Sequence, residues 1–141
     1  MGRILAIDYG RKRAGLAVTD PMKMIANGLE TIHPKDLLKY LEDYCTREDV
    51  ESIVVGYPKQ MDNTDSEAVE YIRPFVKKLR KQFPSIHVEL EDERFTSKMA
   101  LDTMIQGGMK KKQRQNKSNV DRISATIILQ SYLERKNTQS P

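Results

Sequence analysis

Short apolar runs, each bounded by glycine, proline or charged residues, characterise the first third of the chain. Residues 3–8 and 14–19 are mostly apolar and are separated by a charged turn, a pattern typical of a β-hairpin. Residues 29–33 alternate apolar and polar side chains, which predicts a third strand. Pro34 suits the first turn of a helix, and Leu37, Leu38, Leu41 and Tyr44 then recur at helical spacing.

The middle of the chain changes to an alternation of strand and helix patterns. Residues 52–55 are mostly apolar and end at a Gly-Tyr-Pro turn, which predicts a buried strand. Thr64 and Glu67 form a capping-box pattern, which predicts a helix whose apolar positions continue to Leu79. Pro74 is expected to kink that helix or to mark its edge.

A strand pattern returns near residue 86. Ile86, Val88 and Leu90 predict a fifth strand, and the intervening Glu89 and Glu91 are expected to face solvent. Two further helices are predicted from the apolar positions Met99, Ala100, Met104 and Ile105, and from Ile123, Ile127, Ile128 and Tyr132. The first three predicted strands follow one another as hairpins, and the later strands alternate with helices. This order indicates an α/β fold with a mixed five-stranded sheet flanked by helices.

Composition narrows the class of protein. The 141 residues, of which 38% are hydrophobic, fit one domain, expected over 1–136 with a disordered tail at 137–141. No apolar run approaches the ~20 residues of a membrane span, and no secretory signal is expected at the N-terminus. Cys45 is the only cysteine, so no intrachain disulfide is expected and the cytoplasm is the predicted compartment. With two histidines, His33 and His87, a structural zinc site is not indicated.

Acidic residues follow two of the predicted strands. Asp8 ends the first strand, and ligands of α/β sheets gather at the carboxyl ends of strands. Such an acid could hold a hard cation, or it could accept hydrogen bonds from the backbone of a turn. Asp92 and Glu93 end the fifth strand and would lie at the same edge if that strand runs parallel to the first. Arg94 could orient one of these carboxylates, or the segment could be a charged turn before a helix.

Asp121 is a third candidate acid. It falls in the first turn of the last predicted helix, where the helix dipole favours any acid, and that alone would explain it. Ala125, one turn later, is small and would let this helix approach the sheet and bring Asp121 towards Asp8. Acids from three segments that meet at one edge would suit Mg²⁺ or Mn²⁺ and the hydrolysis of a phosphodiester.

Basic residues cluster in the predicted hairpin turn and just before Asp121. The chain has 24 basic and 20 acidic residues and a formal net charge of +4. Such clusters attract the phosphates of nucleic acids, although a run of lysines also occurs in solvated loops. The residues expected to guide phosphates are Arg11, Arg13, Lys110, Lys111, Lys112 and Lys117.

The order and spacing of several motifs resemble those of the YqgF/RuvX family of Holliday-junction-resolvase-like proteins. The motifs are Ile7 to Gly10, Arg13 to Pro21, Val54 to Pro58, Asp92 to Ser97 and Val120 to Leu133. Each motif is weak alone, but together they cover almost the whole chain, from Ile4 to about Leu133. The resemblance implies a ribonuclease H-like fold and a metal-dependent nuclease that matures the 5′ end of the small-subunit (16S) rRNA precursor.

The resemblance also assigns the acids by position. It implies that Asp8, Glu93 and Asp121 bind one or two Mg²⁺ or Mn²⁺ ions, with Asp92 as the less favoured neighbour. Asn63 and Ser124 depart from the residues expected at those positions. Typical resolvases carry an acid where the fourth predicted strand of this chain ends at Gly56.

Alternative functions remain open at this point. A Holliday-junction resolvase would act on branched DNA as a homodimer, because a four-way junction needs two symmetric cuts. A non-catalytic RNA- or ribosome-binding module would use the basic residues alone. A sugar kinase or actin-like ATPase needs two domains, for which 141 residues leave no room. The preferred partner is structured RNA, and no membrane partner is expected. The protein is expected to act as a monomer or a homodimer.

Overall fold

Five strands form one sheet that carries helices on both faces. The computed structural model describes residues 2–10, 12–20, 26–57, 69–92 and 123–133. The predicted helix near residues 97–105, the capping box at Thr64 and the tail at 137–141 lie outside these ranges. The elements are β1 (Arg3–Tyr9), β2 (Ala14–Thr19), β3 (Ala26–Ile32), α1 (Pro34–Arg47), β4 (Val50–Tyr57), α2 (Val69–Gln82), β5 (His87–Asp92) and α3 (123–133).

The sheet is mixed, as the order of elements predicts. Its strand order is β3-β2-β1-β4-β5. β1 pairs antiparallel with β2, and β2 pairs antiparallel with β3. β4 pairs parallel with both β1 and β5. The carboxyl ends of β1, β4 and β5 therefore lie at the same edge of the sheet, which confirms the condition placed on Asp8 and the end of β5.

One face of the sheet packs against α1 and α2. On this face, Leu5 and Ile7 of β1 and Val55 of β4 are buried in the larger of two hydrophobic clusters that the described residues form. They pack with Leu37 and Leu41 of α1 and with apolar residues of α2, which gives the core its main volume. Tyr9 extends this layer at the end of β1, where its ring stacks on Phe75 of α2 at a centroid distance of 4.2 Å.

The other face packs against α3 through small residues. Ile4, Ala6 and Val54 are buried there with Ala125 and Ile128 of α3. Alanines on both layers let the helix axis approach the strands closely, because no long side chain separates the backbones. The predicted packing role of Ala125 is confirmed by its complete burial.

Several predicted boundaries move by a few residues. β3 begins at Ala26 and ends at Ile32 instead of spanning 29–33. His33 is the N-cap of α1, where its Nδ1 accepts a hydrogen bond from the backbone N–H of Lys35 at 3.1 Å. Pro74 lies inside α2 and not at its edge. Within the described ranges, no helix has the length and hydropathy needed to cross a bilayer.

The expectation for the acids of β5 is wrong for Glu91. This residue is 7% exposed, whereas the apolar Leu90 next to it is 39% exposed. The expectation assumed that helices cover one face of the sheet and that solvent covers the other, but helices cover both faces of this sheet. Leu90 shares the face of α1 and α2 but lies on an edge strand, and Glu91 shares the face covered by α3.

Candidate active site

Asp8 lies near the carboxyl end of β1, the central strand of the sheet. It is half-buried and pairs across the hairpin with Gly15 of β2. It follows Ile4 and Ala6 at alternate positions, so it belongs to the face that α3 covers. Asp8 therefore presents a carboxylate at the edge where parallel strands end, and such edges are where ligands of α/β sheets bind.

The turn after Asp8 depends on Gly10. Its backbone N–H donates to the carbonyl oxygen of Arg13 at 3.0 Å, which closes the hairpin. A Cβ on Gly10 would lie 2.8 Å from that same oxygen, so a larger residue cannot fit without moving the turn. The hairpin brings the half-buried Arg13 and the exposed Lys12 to the same edge as Asp8. The structure thus places two predicted site residues, Asp8 and Arg13, on the same hairpin.

Glu91 is a second carboxylate on the same face and at the same level of the sheet. Ile7 pairs with Val55, and Val55 pairs with Leu90. One residue further along these parallel strands stand Asp8, Gly56 and Glu91, and Gly56 and Glu91 are paired. Two strand spacings, about 10 Å, separate the backbones of the two acids. Gly56 lies between the two acids and places no side chain between them.

A hydrogen bond fixes Glu91 against the last helix. The Oγ of Ser131 donates to Oε1 of Glu91 at 3.4 Å. Sequence reasoning missed Glu91 because alternation alone does not tell which face of an edge strand is covered. The available signal was the apolar pattern of residues 123–133, which needs a second face of the sheet on which to pack.

The other predicted site residues lie outside the described residues. Glu93 follows the last residue of β5 directly in the sequence, and Asp121 stands two positions before α3. Among the residues that the structure does describe, no group of three or more His, Cys, Asp and Glu is placed to share a metal ion. The phosphate-guiding candidates outside the described ranges are Arg11, Lys110, Lys111, Lys112 and Lys117.

Helix α1 carries groups with raised pKa values. Burial raises the pKa of the Cys45 thiol. Burial is also the main reason that the pKa values of Tyr40 and Tyr44 are raised. A raised pKa lowers the share of the reactive thiolate, and Cys45 packs against the core cluster, so the structure gives this residue a packing role.

Comparison with known proteins identifies relatives of this chain across its whole length. The model of a family described as "RuvX: Holliday junction resolvase" matches residues 2–135. A protein of Phocaeicola vulgatus named "Putative pre-16S rRNA nuclease" is 60% identical over 136 residues, which cover 96% of this chain and 98% of that protein. A protein of the same name from Parabacteroides distasonis is 55% identical over 139 residues, which cover 99% of each.

Two solved structures share the fold. Thermus thermophilus RuvC, solved with a Holliday junction substrate, matches with a TM-score of 0.56 at 16% identity and covers 98% of both chains. The fowlpox virus Holliday junction resolvase matches with a TM-score of 0.52 at 16% identity, covering 94% of this chain and 99% of that one. These likenesses confirm the ribonuclease H-like fold.

Proposed function

This chain belongs to the RuvX family, and from that premise we propose that it is a nuclease that hydrolyses phosphodiester bonds in the 16S rRNA precursor. The observation that carries the proposal is the position of Asp8. Its half-buried carboxylate stands at the carboxyl end of the central strand, with glycine in the same row on both neighbouring strands. The high identity to full-length relatives named as pre-16S rRNA nucleases supports RNA as the substrate.

We propose that Asp8 acts with Glu93 and Asp121 to bind Mg²⁺ or Mn²⁺. The residues that the structure describes fit such an ion, because Asp8 supplies hard carboxylate oxygens and the parallel strand β5, which Glu93 follows in the sequence, ends at the same edge of the sheet. Divalent ions of this kind activate a water and stabilise the leaving oxygen when bound. The residues of the chain hold the ions and set the place of attack.

The hairpin turn supplies positive charge beside this edge. Arg13 ends the turn that starts at Gly10, so its guanidinium is carried by the same rigid hairpin as Asp8. A guanidinium binds phosphate with two parallel hydrogen bonds and orients it. We propose that Arg13, with Arg11 and the lysines from Lys110 to Lys117, positions the backbone of RNA over Asp8.

Cleavage of a precursor fragment tests the proposal. Wild-type protein is incubated with a 5′-labelled fragment that spans the mature 5′ end, with Mn²⁺ or with EDTA. Asp8→Asn removes the charge but keeps the shape, and Asp43→Asn removes an exposed charge from α1 as the matched control. We expect cutting by wild type and Asp43→Asn in Mn²⁺ alone, and a loss of at least ~100-fold in Asp8→Asn. Equal activity of all three proteins, or no cutting by wild type, contradicts the proposal.

A second candidate is a Holliday-junction resolvase, which the family description and the fold of RuvC favour. A resolvase needs two active sites for two symmetric cuts, so it requires a homodimer. Sedimentation velocity together with cleavage of a synthetic four-way DNA junction separates the candidates. A monomer that cuts the RNA fragment and leaves the junction intact supports the rRNA nuclease. Calorimetric titration of wild type and Asp8→Asn with Mn²⁺ tests whether the protein is a pure binding module. Such a module would have no Mn²⁺ site that depends on Asp8.

A further inference from the structure

Helix α2 carries an unusual share of the positive charge of this protein. Between Val69 and Gln82 it has five basic residues and one acidic residue, Glu70. Its net charge of +4 equals the formal net charge of the entire chain. The basic residues, all exposed, are Arg73, Lys77, Lys78, Arg80 and Lys81.

Four of these residues form a continuous stripe, which we call the α2 basic stripe: Arg73, Lys77, Arg80 and Lys81. At 3.6 residues per turn they fall within about 100° of the helix circumference. The buried side of the helix is separate and consists of Ile72, Phe75, Val76 and Leu79. The stripe therefore faces away from the core.

Contacts at the end of α2 orient the stripe. On one side, Nε2 of Gln82 lies 3.5 Å from Oε2 of Glu42, which faces α2 from α1. On another side, the Arg80 guanidinium donates to the carbonyl oxygen of Val88 in β5 at 3.4 Å. Gln82 lies about 160° around the helix from Arg80, so the stripe points away from the acidic residues of α1.

The helix dipole explains only part of this charge. Cations near a helix C-terminus are stabilised within the last turn, which accounts for Arg80 and Lys81. Lys77 lies before that turn, and Arg73 lies in the first half of the helix. No carboxylate of the described ranges forms an ion pair with Lys77 or Lys81. Lys77 and Lys81 therefore keep their charge without a carboxylate partner in the described ranges, and clustered cations are the electrostatic footprint of a polyanion site.

A depression extends the stripe at its C-terminal end. It has a volume of about 540 Å³ and lies between the end of α2 and the start of β5. Arg80 lines it together with Phe83, Pro84, Ser85 and His87. His87 Nε2 lies 3.2 Å from Oε1 of Glu89, and Arg80 supplies a guanidinium to the rim. The stripe thus continues into a shallow, largely open depression that Arg80 lines.

We propose that the α2 basic stripe is a second RNA-binding surface, which holds the sugar-phosphate backbone of structured RNA on the face of the sheet opposite Asp8. The choice of RNA as the polyanion rests on the proposed function, whereas the surface itself does not depend on catalysis. Arg73 and Lys81 are eight residues apart, so the stripe spans about 12 Å along the helix. That length reaches several phosphates of one duplex, which keeps a structured precursor attached while its end is at the active site.

A membrane surface fits the stripe less well than RNA. An amphipathic helix binds a bilayer by inserting its apolar side among the acyl chains. The apolar residues Ile72, Phe75, Val76 and Leu79 of α2 are already buried against the sheet, chiefly against β4 and β5, so they do not face lipid. Phosphates of RNA need only the exposed cations.

Fluorescence anisotropy with a short labelled RNA duplex in EDTA tests the proposal without cleavage. The double variant Lys77→Gln/Lys81→Gln is compared with Lys35→Gln/Lys39→Gln, which removes the same charge from exposed positions of α1. We expect the α2 variant to bind about tenfold more weakly, and its plot of log affinity against log salt between about 50 mM and 200 mM to lose about 1 in slope per lysine. The α1 variant is expected to keep wild-type affinity and most of the wild-type slope.

Equal weakening of both double variants, or wild-type binding by the α2 variant, overturns the proposal. Loss of binding to phosphatidylserine vesicles in the α2 variant with RNA binding unchanged also overturns it, in favour of lipid. Failure of the proposed function has a different signature, since wild type would then bind the duplex through α2 and leave the precursor fragment uncut. Matching thermal melts of all variants exclude unfolding as the cause.

Discussion

The hydroxyl of Ser131 lies 3.4 Å from Oε1 of Glu91, which ties α3 to the edge strand β5. Glu91 is 7% exposed, so this donor offsets part of the cost of removing a carboxylate from water. The bond also connects α3 to the row of the sheet that contains Glu91, Gly56 and Asp8. It is therefore a structural link between the last helix and the sheet edge of the candidate site.

Replacing the donor is expected to weaken the protein. Ser131→Ala removes one hydrogen bond from a buried carboxylate, and we expect the free energy of unfolding to fall by about 1–2 kcal/mol. The 3.4 Å separation places the effect at the lower end of the range for charged acceptors. Urea unfolding followed by circular dichroism measures it. Ser85→Ala, at an exposed turn position, is the control and is expected to stay within about 0.5 kcal/mol of wild type.

Gly10 is expected to resist any substitution. In Gly10→Ala the new Cβ lies 2.8 Å from the carbonyl oxygen of Arg13, so the hairpin turn has to open. We expect a loss of about 1–3 kcal/mol in the free energy of unfolding. RNA cleavage should fall as well, since Asp8 and Arg13 lose their fixed relation. Lys12→Ala changes an exposed side chain of the same turn, and a loss of stability as large as that of Gly10→Ala would refute the steric explanation.

Thr19 anchors the start of β1 from inside the core. It is fully buried, and its Oγ1 accepts the backbone N–H of Ile4 at 2.9 Å. Thr19→Val keeps the shape but leaves this N–H without its acceptor, so we expect a loss of about 1–3 kcal/mol. Thr46→Val is the matched control, because Thr46 bonds the carbonyl of Glu42 at an exposed site of α1. Chemical denaturation with coincident fluorescence and circular dichroism tests both variants, and equal losses would refute this account.

Cys45 is expected to react slowly with alkylating reagents. Burial raises the pKa of its thiol, so at each pH the folded protein holds less thiolate than the unfolded chain. The rate of iodoacetamide labelling should therefore lag behind that of the urea-unfolded protein between about pH 7 and pH 9. The same shift means that the unfolded chain releases its proton first, so this group lowers stability as pH rises above the ordinary thiol pKa. Equal labelling rates in both states would contradict the shift.

The patterns of single elements are predictable from the sequence because they are local. The mostly apolar run of residues 3–8 and the glycine that follows it predicted β1 and its end, and β2 matches the predicted bounds Ala14–Thr19. The apolar spacing of Ile127, Ile128 and Tyr132 correctly predicted the buried side of α3. Glu93, Asp121 and the lysines from Lys110 to Lys117 stay predictions, since they lie outside the described residues.

The surroundings of an element are not local, and there the prediction for β5 failed. Alternation predicts that Glu89 and Glu91 share one face and that Val88 and Leu90 share the other. It does not say which face a helix covers or how far a strand stands from the centre of the sheet. Glu91 is buried because α3 covers its face, and Leu90 is exposed because β5 is an edge strand.

By itself, the sequence determined the strand that carries Asp8 and the tight turn at Gly10, because each depends on residues close together along the chain. The order of strand and helix patterns predicted the mixed character of the sheet. The tertiary structure alone decided that Gly56 and Glu91 share a row with Asp8, and that the cations of α2 lie on the opposite side of the sheet. Pairing between strands joins residues such as Asp8 and Glu91 that are far apart in sequence. Their proximity is set by strand order and register, which no local pattern encodes.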